Sequence, residues 1–187
     1  MKGGLFLNSE VVIYKSQYGS TKKYAEWIAN ELNVDLFNYK DIKARKLATY
    51  DTIVFGGGLY ASGINGISLI TKNFEALKDK NLVIFTVGLA STDDKEIFRP
   101  IIEKNCKEEI RKKMQFFHLR GGIDYKKLSF IHKTMMAMLK SVVSKKNPDQ
   151  LSEDDKMMLA TYGDKVDFCD IKTIKPLVSY VKSLGQC

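Results

Sequence analysis

Three short, almost unbroken apolar runs recur through this chain, and each is followed by a stretch of helical periodicity. The runs are Val11–Tyr14 (VVIY), Asp51–Gly58 (DTIVFGGG) and Asn81–Gly88 (NLVIFTVG). Runs that are apolar at successive positions, rather than at alternate ones, suit strands covered on both faces. Between them Tyr24, Ile28 and Leu32 share one helical face, and Ile67, Ile70, Phe74 and Leu77 mark another helix. VDLFNY (34–39) and MQFFHLRGG (114–122) read as the second and fifth strands. A short helix or loop is expected over 41–50 and a helix over 95–111. Strands alternating with helices predict an α/β protein with a doubly wound, five-stranded parallel sheet in the order 2-1-3-4-5. The 187 residues read as a single domain, 1–187, with residues 1–10 as a tail before the first strand.

The fifth unit is interrupted. Residues 124–150 are expected to insert a helical segment before the closing helix at 174–184. Leu128, Ile131, Met135, Met138 and Val142 recur at helical spacing, which predicts an amphipathic helix over 127–146. Ser152 followed by Asp155 is an N-cap pattern for one more short helix.

Charge concentrates in the same place. The chain carries a net +8, yet Arg111–Lys146 alone holds ten basic residues against Asp124, a local +9 on a remainder near neutrality. Three readings of this segment stay open: a solvated face, docking on an anionic membrane surface, or binding of an acidic ligand. Nucleic acid is disfavoured, because no recognition motif accompanies the charge and Phe116 and Phe117 read as strand core.

Cys106, Cys169 and Cys187 form neither a C-x-x-C pair nor a disulfide framework, which fits a reducing, cytoplasmic setting. His118 and His132 have no companion at metal-ligand spacing, so no metal site is expected and both read as surface or packing residues. No acid–base pair is identifiable from spacing, and His118 is the one base candidate. No apolar stretch approaches the roughly 20 residues of a spanning helix, and the start has no signal-peptide pattern.

In a doubly wound sheet, ligands sit beyond the carboxyl ends of the strands. Three loops belong to that edge. Ser16-Gln17-Tyr18-Gly19-Ser20-Thr21 offers hydroxyls, a glycine and the unpaired amides of a helix start, a phosphate cradle without the Lys-Ser/Thr ending of a Walker A loop. Gly56–Gly63, with Gly58, Leu59 and Tyr60, lets backbone approach a flat ring beside an aromatic side chain. Its formal match to a dinucleotide fingerprint follows the wrong strand and lacks the acidic ribose partner. Thr86–Asp94, with Val87, Gly88 and Leu89, supplies backbone groups to a ring's polar edge. Together they describe a site for flavin mononucleotide (FMN).

VVIYKSQYGST and YDTIVFGGGLYASG resemble the flavodoxin superfamily. With FFHLRGGIDYKKLSFIHKTMMAMLK added, the chain is similar to the flavodoxin-like branch containing menaquinone-dependent protoporphyrinogen IX dehydrogenase. The resemblance implies that Ser16, Tyr18, Gly19, Ser20 and Thr21 hold the FMN phosphate. Gly58, Leu59 and Tyr60 would then contact one side of the isoalloxazine, and Val87, Gly88 and Leu89 the other. It further implies electron transfer from a reduced substrate, such as protoporphyrinogen IX, to a quinone, with the protein peripheral on the inner face of the membrane. The branch has a basic residue followed by an aromatic where this chain has Tyr60-Ala61. A non-enzymatic electron carrier, partnered by another redox protein, is the alternative. The basic insertion speaks for an enzyme, since a carrier for basic partners is expected to be acidic.

Overall fold

A computed structural model describes residues 9–93 and 95–185. The tail expected before the first strand falls mainly on 1–8, outside the described residues, as do Asp94 and Cys187. In chain order the first half comprises β1 (Glu10–Lys15), α1 (Ser20–Leu32), β2 (Asp35–Asn38), α2 (Ala44–Leu47), β3 (Thr52–Tyr60), β4 (Gly63–Ile64), α3 (Ser68–Thr71), α4 (Phe74–Leu77) and β5 (Asn81–Gly88). The second half comprises a 3₁₀ turn at Lys95–Phe98, α5 (Arg99–Asn105), α6 (Glu108–Arg111), β6 (Met114–Arg120), β7 (Gly122–Asp124), α7 (Phe130–Val143), α8 (Glu153–Ala160), β8 (Lys165–Asp167) and α9 (Lys175–Leu184).

The main sheet runs β2-β1-β3-β5-β6, all parallel, with the two-residue β4 antiparallel to the end of β3. Counting its five long strands in sequence, this is the predicted 2-1-3-4-5 order. Alternate side chains point to opposite faces, and each face is closed by its own helices. Val11, Ile13, Ile53, Phe55, Leu82 and Ile84 pack with Leu47, Ile70, Leu77 and Ile110 from α2, α3, α4 and α6. On the other face Val12, Val54, Val83 and Phe85 meet Tyr24 and Ile28 of α1 and Leu177, Val178 and Val181 of α9. Each large apolar side chain so enclosed contributes about 1.5–3 kcal/mol.

Several boundaries differ from the sequence reading. The helix expected around Ile67–Leu77 is two short helices, and that over 95–111 is a 3₁₀ turn followed by α5 and α6, broken at Cys106 and Lys107, both extended. The glycine run 56–58 lies inside β3 rather than in a loop. A Cβ on Gly56 would come within 2.0 Å of the Phe85 ring, and one on Gly57 within 2.8 Å of Ile64. Two of the three glycines therefore make room for neighbouring side chains, not for a ligand. The turn itself is made by Ala61 and Ser62, both left-handed at φ 48° and 62°. β7 and β8 pair as a two-stranded antiparallel ribbon that the sequence reading missed.

The inserted helix is shorter than predicted, and its apolar residues do not share one face. Leu128 is buried just before it and Met135 is half-buried, whereas Ile131, Met138 and Val142 are exposed. The capping box at Ser152 forms as expected, with Oγ accepting from the Asp155 amide at 3.1 Å.

Candidate functional site

Parallel register brings the carboxyl ends of the strands to one edge: Lys15 lies opposite Gly57, Gly58 opposite Val87, and Gly88 opposite Arg120. The segments leaving those ends converge on one cleft. Tyr18, Ser20 and Thr21 form one part of the wall, Leu59, Tyr60 and Ala61 another, and Val87, Gly88 and Leu89 a third. The lining is mostly apolar.

The first loop turns sharply into a helix start. Gly19 takes φ +103°, a conformation open to glycine, and opens α1 without a side-chain cap. Ser16 does not line the cleft; its Oγ accepts the Gly19 amide at 3.1 Å and fixes the turn. The first turn of α1 holds no acid, and Lys22 and Lys23 follow Thr21. Uncapped amides at a helix start carry partial positive charge and bind phosphate readily. Beside this loop lies a second, more open hollow that Gln17, Gly19, Lys23, Lys127 and Lys165 share. Lys23 is held 3.0 Å from Asp167, whose carboxyl falls to about 2 through hydrogen bonds from the Cys169 thiol and amide, with Lys23 adding to the effect.

Close approach between segments depends on glycines after all, though chiefly on one the sequence reading passed over. The Gly121 amide donates to the Gly88 carbonyl at 2.7 Å, and a Cβ on Gly121 would lie 2.7 Å from Val87 Cγ1. Ser20 Oγ accepts from the Gly122 amide at 3.2 Å. Gly58, by contrast, sits beneath the Tyr60 ring and does not line the cleft.

Gly121, Gly122, Ile123, Leu128, His132, Met135 and Met136 complete the wall, all from the end of β6 and the insertion. The strand ending MQFFHLRGG carries the same glycine-after-strand signal as loop two. His132, expected as a surface or packing residue, packs at the cleft wall. Its actual neighbours are aromatic: the ring stacks on Tyr60 at 5.1 Å between centroids, and Nδ1 lies 2.5 Å from the Tyr18 hydroxyl. That hydroxyl also accepts the Ser129 amide at 3.2 Å, so Tyr18 ties the first loop to the start of α7. Burial of Tyr60, with Tyr18 alongside, pushes its phenol up to about 12 against a lone opposing hydrogen bond from the Gln17 backbone. His118, the base candidate, is elsewhere: it stacks on Phe98 and its Nδ1 lies 2.7 Å from Thr86 Oγ1.

Arg120 fixes the third segment. Its Nε donates to the Leu89 carbonyl at 3.0 Å and its Nη2 to Asp154 at 2.9 Å, while Asp154 accepts the Ser91 amide at 2.6 Å. The loop after β5 is thus tied to α8. Among the described residues no group of three or more His, Cys, Asp or Glu side chains could hold a metal, and no helix is long and apolar enough to cross a membrane.

The family model described as Flavodoxin domain matches residues 11–150. Residues of this chain are also similar to the uncharacterized protein MJ0298 of Methanocaldococcus jannaschii, 39% identical over 51 residues. That stretch is 27% of this chain and spans only about a third, 34%, of the relative. Among solved structures, a flavodoxin from the domain Archaea is 18% identical with a TM-score of 0.38, over 58% of this chain and 83% of that one. The Trp repressor binding protein of Bacillus subtilis is 18% identical with a TM-score of 0.44, over 60% and 83%. Rubredoxin oxygen:oxidoreductase of Desulfovibrio gigas is 12% identical with a TM-score of 0.42, over 92% of this chain and 37% of that one. The profile match covers three quarters of the sequence, and the chain belongs to the flavodoxin domain family.

Proposed function

We propose that this flavodoxin-domain protein is an FMN-dependent oxidoreductase that takes electrons from a reduced substrate and delivers them to a quinone. The observation that carries the reading is the convergence of an uncapped helix start with two apolar strand-end segments on one cleft. The residues fit the cofactor. The amides of Ser20 and Thr21 would receive the phosphate, and Lys23 lies close enough to add positive charge. Leu59, Tyr60 and Ala61 on one side, with Val87, Gly88 and Leu89 on the other, would hold the ring. Bound FMN supplies the capacity to accept a hydride and release electrons singly or in pairs; the protein supplies position and surroundings.

The chain's own contribution follows from its polar and apolar groups. Met135, Met136 and Leu128 keep water from one side of the cleft. Tyr18 holds His132 through its hydroxyl and so fixes an imidazole at the cleft wall. Tyr60 stays neutral across the ordinary pH range, because burial holds its proton in place. The same cover of helix over cleft favours an enzyme above a bare electron carrier, which needs an open cofactor edge for protein partners. The resemblance of the insertion to the protoporphyrinogen dehydrogenase branch suggests a porphyrinogen as the reduced substrate.

Purified protein should be yellow and release FMN on denaturation. A colourless preparation that takes up no added FMN overturns the flavin reading. With protoporphyrinogen IX and a menaquinone analogue, porphyrin fluorescence should rise faster than in the protein-free control. A yellow protein with no such acceleration overturns the substrate and leaves the flavin site intact.

A further inference from the structure

α7 has two apolar sides, and only one of them is used. His132, Met135, Met136 and the buried Val143 face the body of the protein. The other side carries Phe130 at 85% exposure, Ile131 at 69%, Met138 at 65% and Val142 at 62%, with Leu139 at 46% on its flank. Five of the eight large apolar side chains that stand exposed among the described residues therefore belong to this one helix. Exposed apolar side chains scattered singly are ordinary, but a cluster on one element marks a contact surface.

Charge identifies what that surface meets. From Lys126 to Lys146 the chain holds six lysines and no acid. Lys126, Lys133 and Lys145 are exposed, as is Lys127, which lies 3.9 Å from Asp124. Lys140 lies over the Tyr162 ring at 4.3 Å, and Lys146 pairs with Asp155 at 2.7 Å. The nearest acids of α8 are largely committed, Asp154 to Arg120 and Asp155 to Lys146. A second copy of the chain would bring two such lysine-rich helices together, and like charge opposes that pairing. An anionic bilayer satisfies both features at once: the apolar side chains enter the acyl boundary while lysine ammonium groups remain among the headgroups. Fourteen residues span about 21 Å, short of the roughly 30 Å hydrocarbon core, so the helix lies along the surface rather than across it.

We propose that the outer side of α7, Phe130, Ile131, Met138 and Val142 with the lysines around them, docks the protein on an anionic lipid surface. The cleft wall formed by His132, Met135 and Met136 then belongs to the helix that touches lipid, which would open the cleft toward molecules dissolved in the bilayer. The docking itself does not depend on which cofactor the cleft holds.

The test is co-sedimentation of the full chain with phosphatidylcholine vesicles, with and without phosphatidylglycerol, at low and high salt. Binding should require phosphatidylglycerol and weaken with salt. Phe130→Ser combined with Ile131→Ser should lower partitioning about tenfold or more. Neutralising Lys133 should lower it about fivefold, the effect of one lysine near an anionic surface. Removing Lys172 and Lys175, basic residues outside the insertion, should leave it unchanged. All these positions are exposed, so unchanged far-ultraviolet dichroism and melting separate lost docking from lost fold. Equal binding to neutral vesicles, or no effect of the α7 variants, overturns the proposal. So does absence of vesicle binding with a dimer in sedimentation velocity that Phe130→Ser and Ile131→Ser dissociate, which would make this face a self-interface.

Discussion

The parallel sheet and the segment from Gly122 to Phe168 spend apolar residues in opposite ways. In β1, β3 and β5 the residues Val11, Val12, Ile13, Ile53, Val54, Phe55, Val83, Ile84 and Phe85 are all at 0% exposure. In α7, of similar apolar content, Val143 is the buried exception. Strands covered on both faces have no side to spare, so almost every position answers to packing. The inserted helix packs by a narrow strip and leaves the rest to solvent or to a partner. Folding alone accounts for the first pattern. For the second it accounts for half a helix.

The largest expected effect tests that contrast directly. Phe85 fills the space above Gly56, and replacing it with alanine should cost about 3–5 kcal/mol in chemical denaturation. Phe130→Ala removes the same side chain from a site 85% exposed and should change stability by no more than about 0.5 kcal/mol. If the two costs come out similar, α7 is packed far more tightly than its exposure indicates, and the contrast between the regions collapses.

A smaller effect is expected where the two regions join. Valine at Gly121 would force a Cβ to 2.7 Å from Val87 and 3.2 Å from Ser20, spreading the end of β6 from the first and third loops. Overpacking of this kind costs about 1–3 kcal/mol. Under the FMN reading it should also weaken flavin affinity roughly tenfold or more, the equivalent of about 1.4 kcal/mol. Fluorescence titration with FMN checks it. Unchanged affinity in a destabilised protein would show that Gly121 serves the sheet alone.

The same contrast governs what could be read from the sequence. Val11–Tyr14, Asp51–Gly58 and Asn81–Gly88 announced buried strands because burial on both faces demands an uninterrupted run, and with them came the strand order and the edge where a site forms. Of the residues expected at that edge, Tyr18, Ser20, Thr21, Leu59, Tyr60, Val87, Gly88 and Leu89 line the cleft. Gly58 was placed in the site by its glycine neighbours, although the run answers to Phe85 and Ile64, partners whose approach only the tertiary structure reveals. His132, read as a surface or packing residue, packs on Tyr60 and meets Tyr18, 72 and 114 positions away, and no local period encodes which rings it meets. Spacing in α7 identified a helix but not which apolar residues face inward, since apolar residues surround most of it.

Tyr60 offers the finest test, because it ends a strand of the sheet yet is covered by the insertion. Burial raises its phenol from 10 to about 12, so the folded protein holds this proton more tightly than the unfolded chain. The resulting contribution to stability is fully present below pH 10 and is lost as pH rises through the window from 10 to about 12. Burial also raises Tyr24, Tyr50 and Tyr125, so the part due to Tyr60 is the difference between the wild-type phenolate titration and that of Tyr60→Phe. The stacked imidazole of His132 is one of the groups that keep water from the Tyr60 ring. His132→Ala should therefore bring the Tyr60 titration back toward 10 while leaving the denaturation midpoint near neutral pH almost unmoved. A titration that stays near 12 in that variant would assign the burial of Tyr60 to the sheet and its own turn. The insertion would then cover the cleft without shaping the chemistry of its wall.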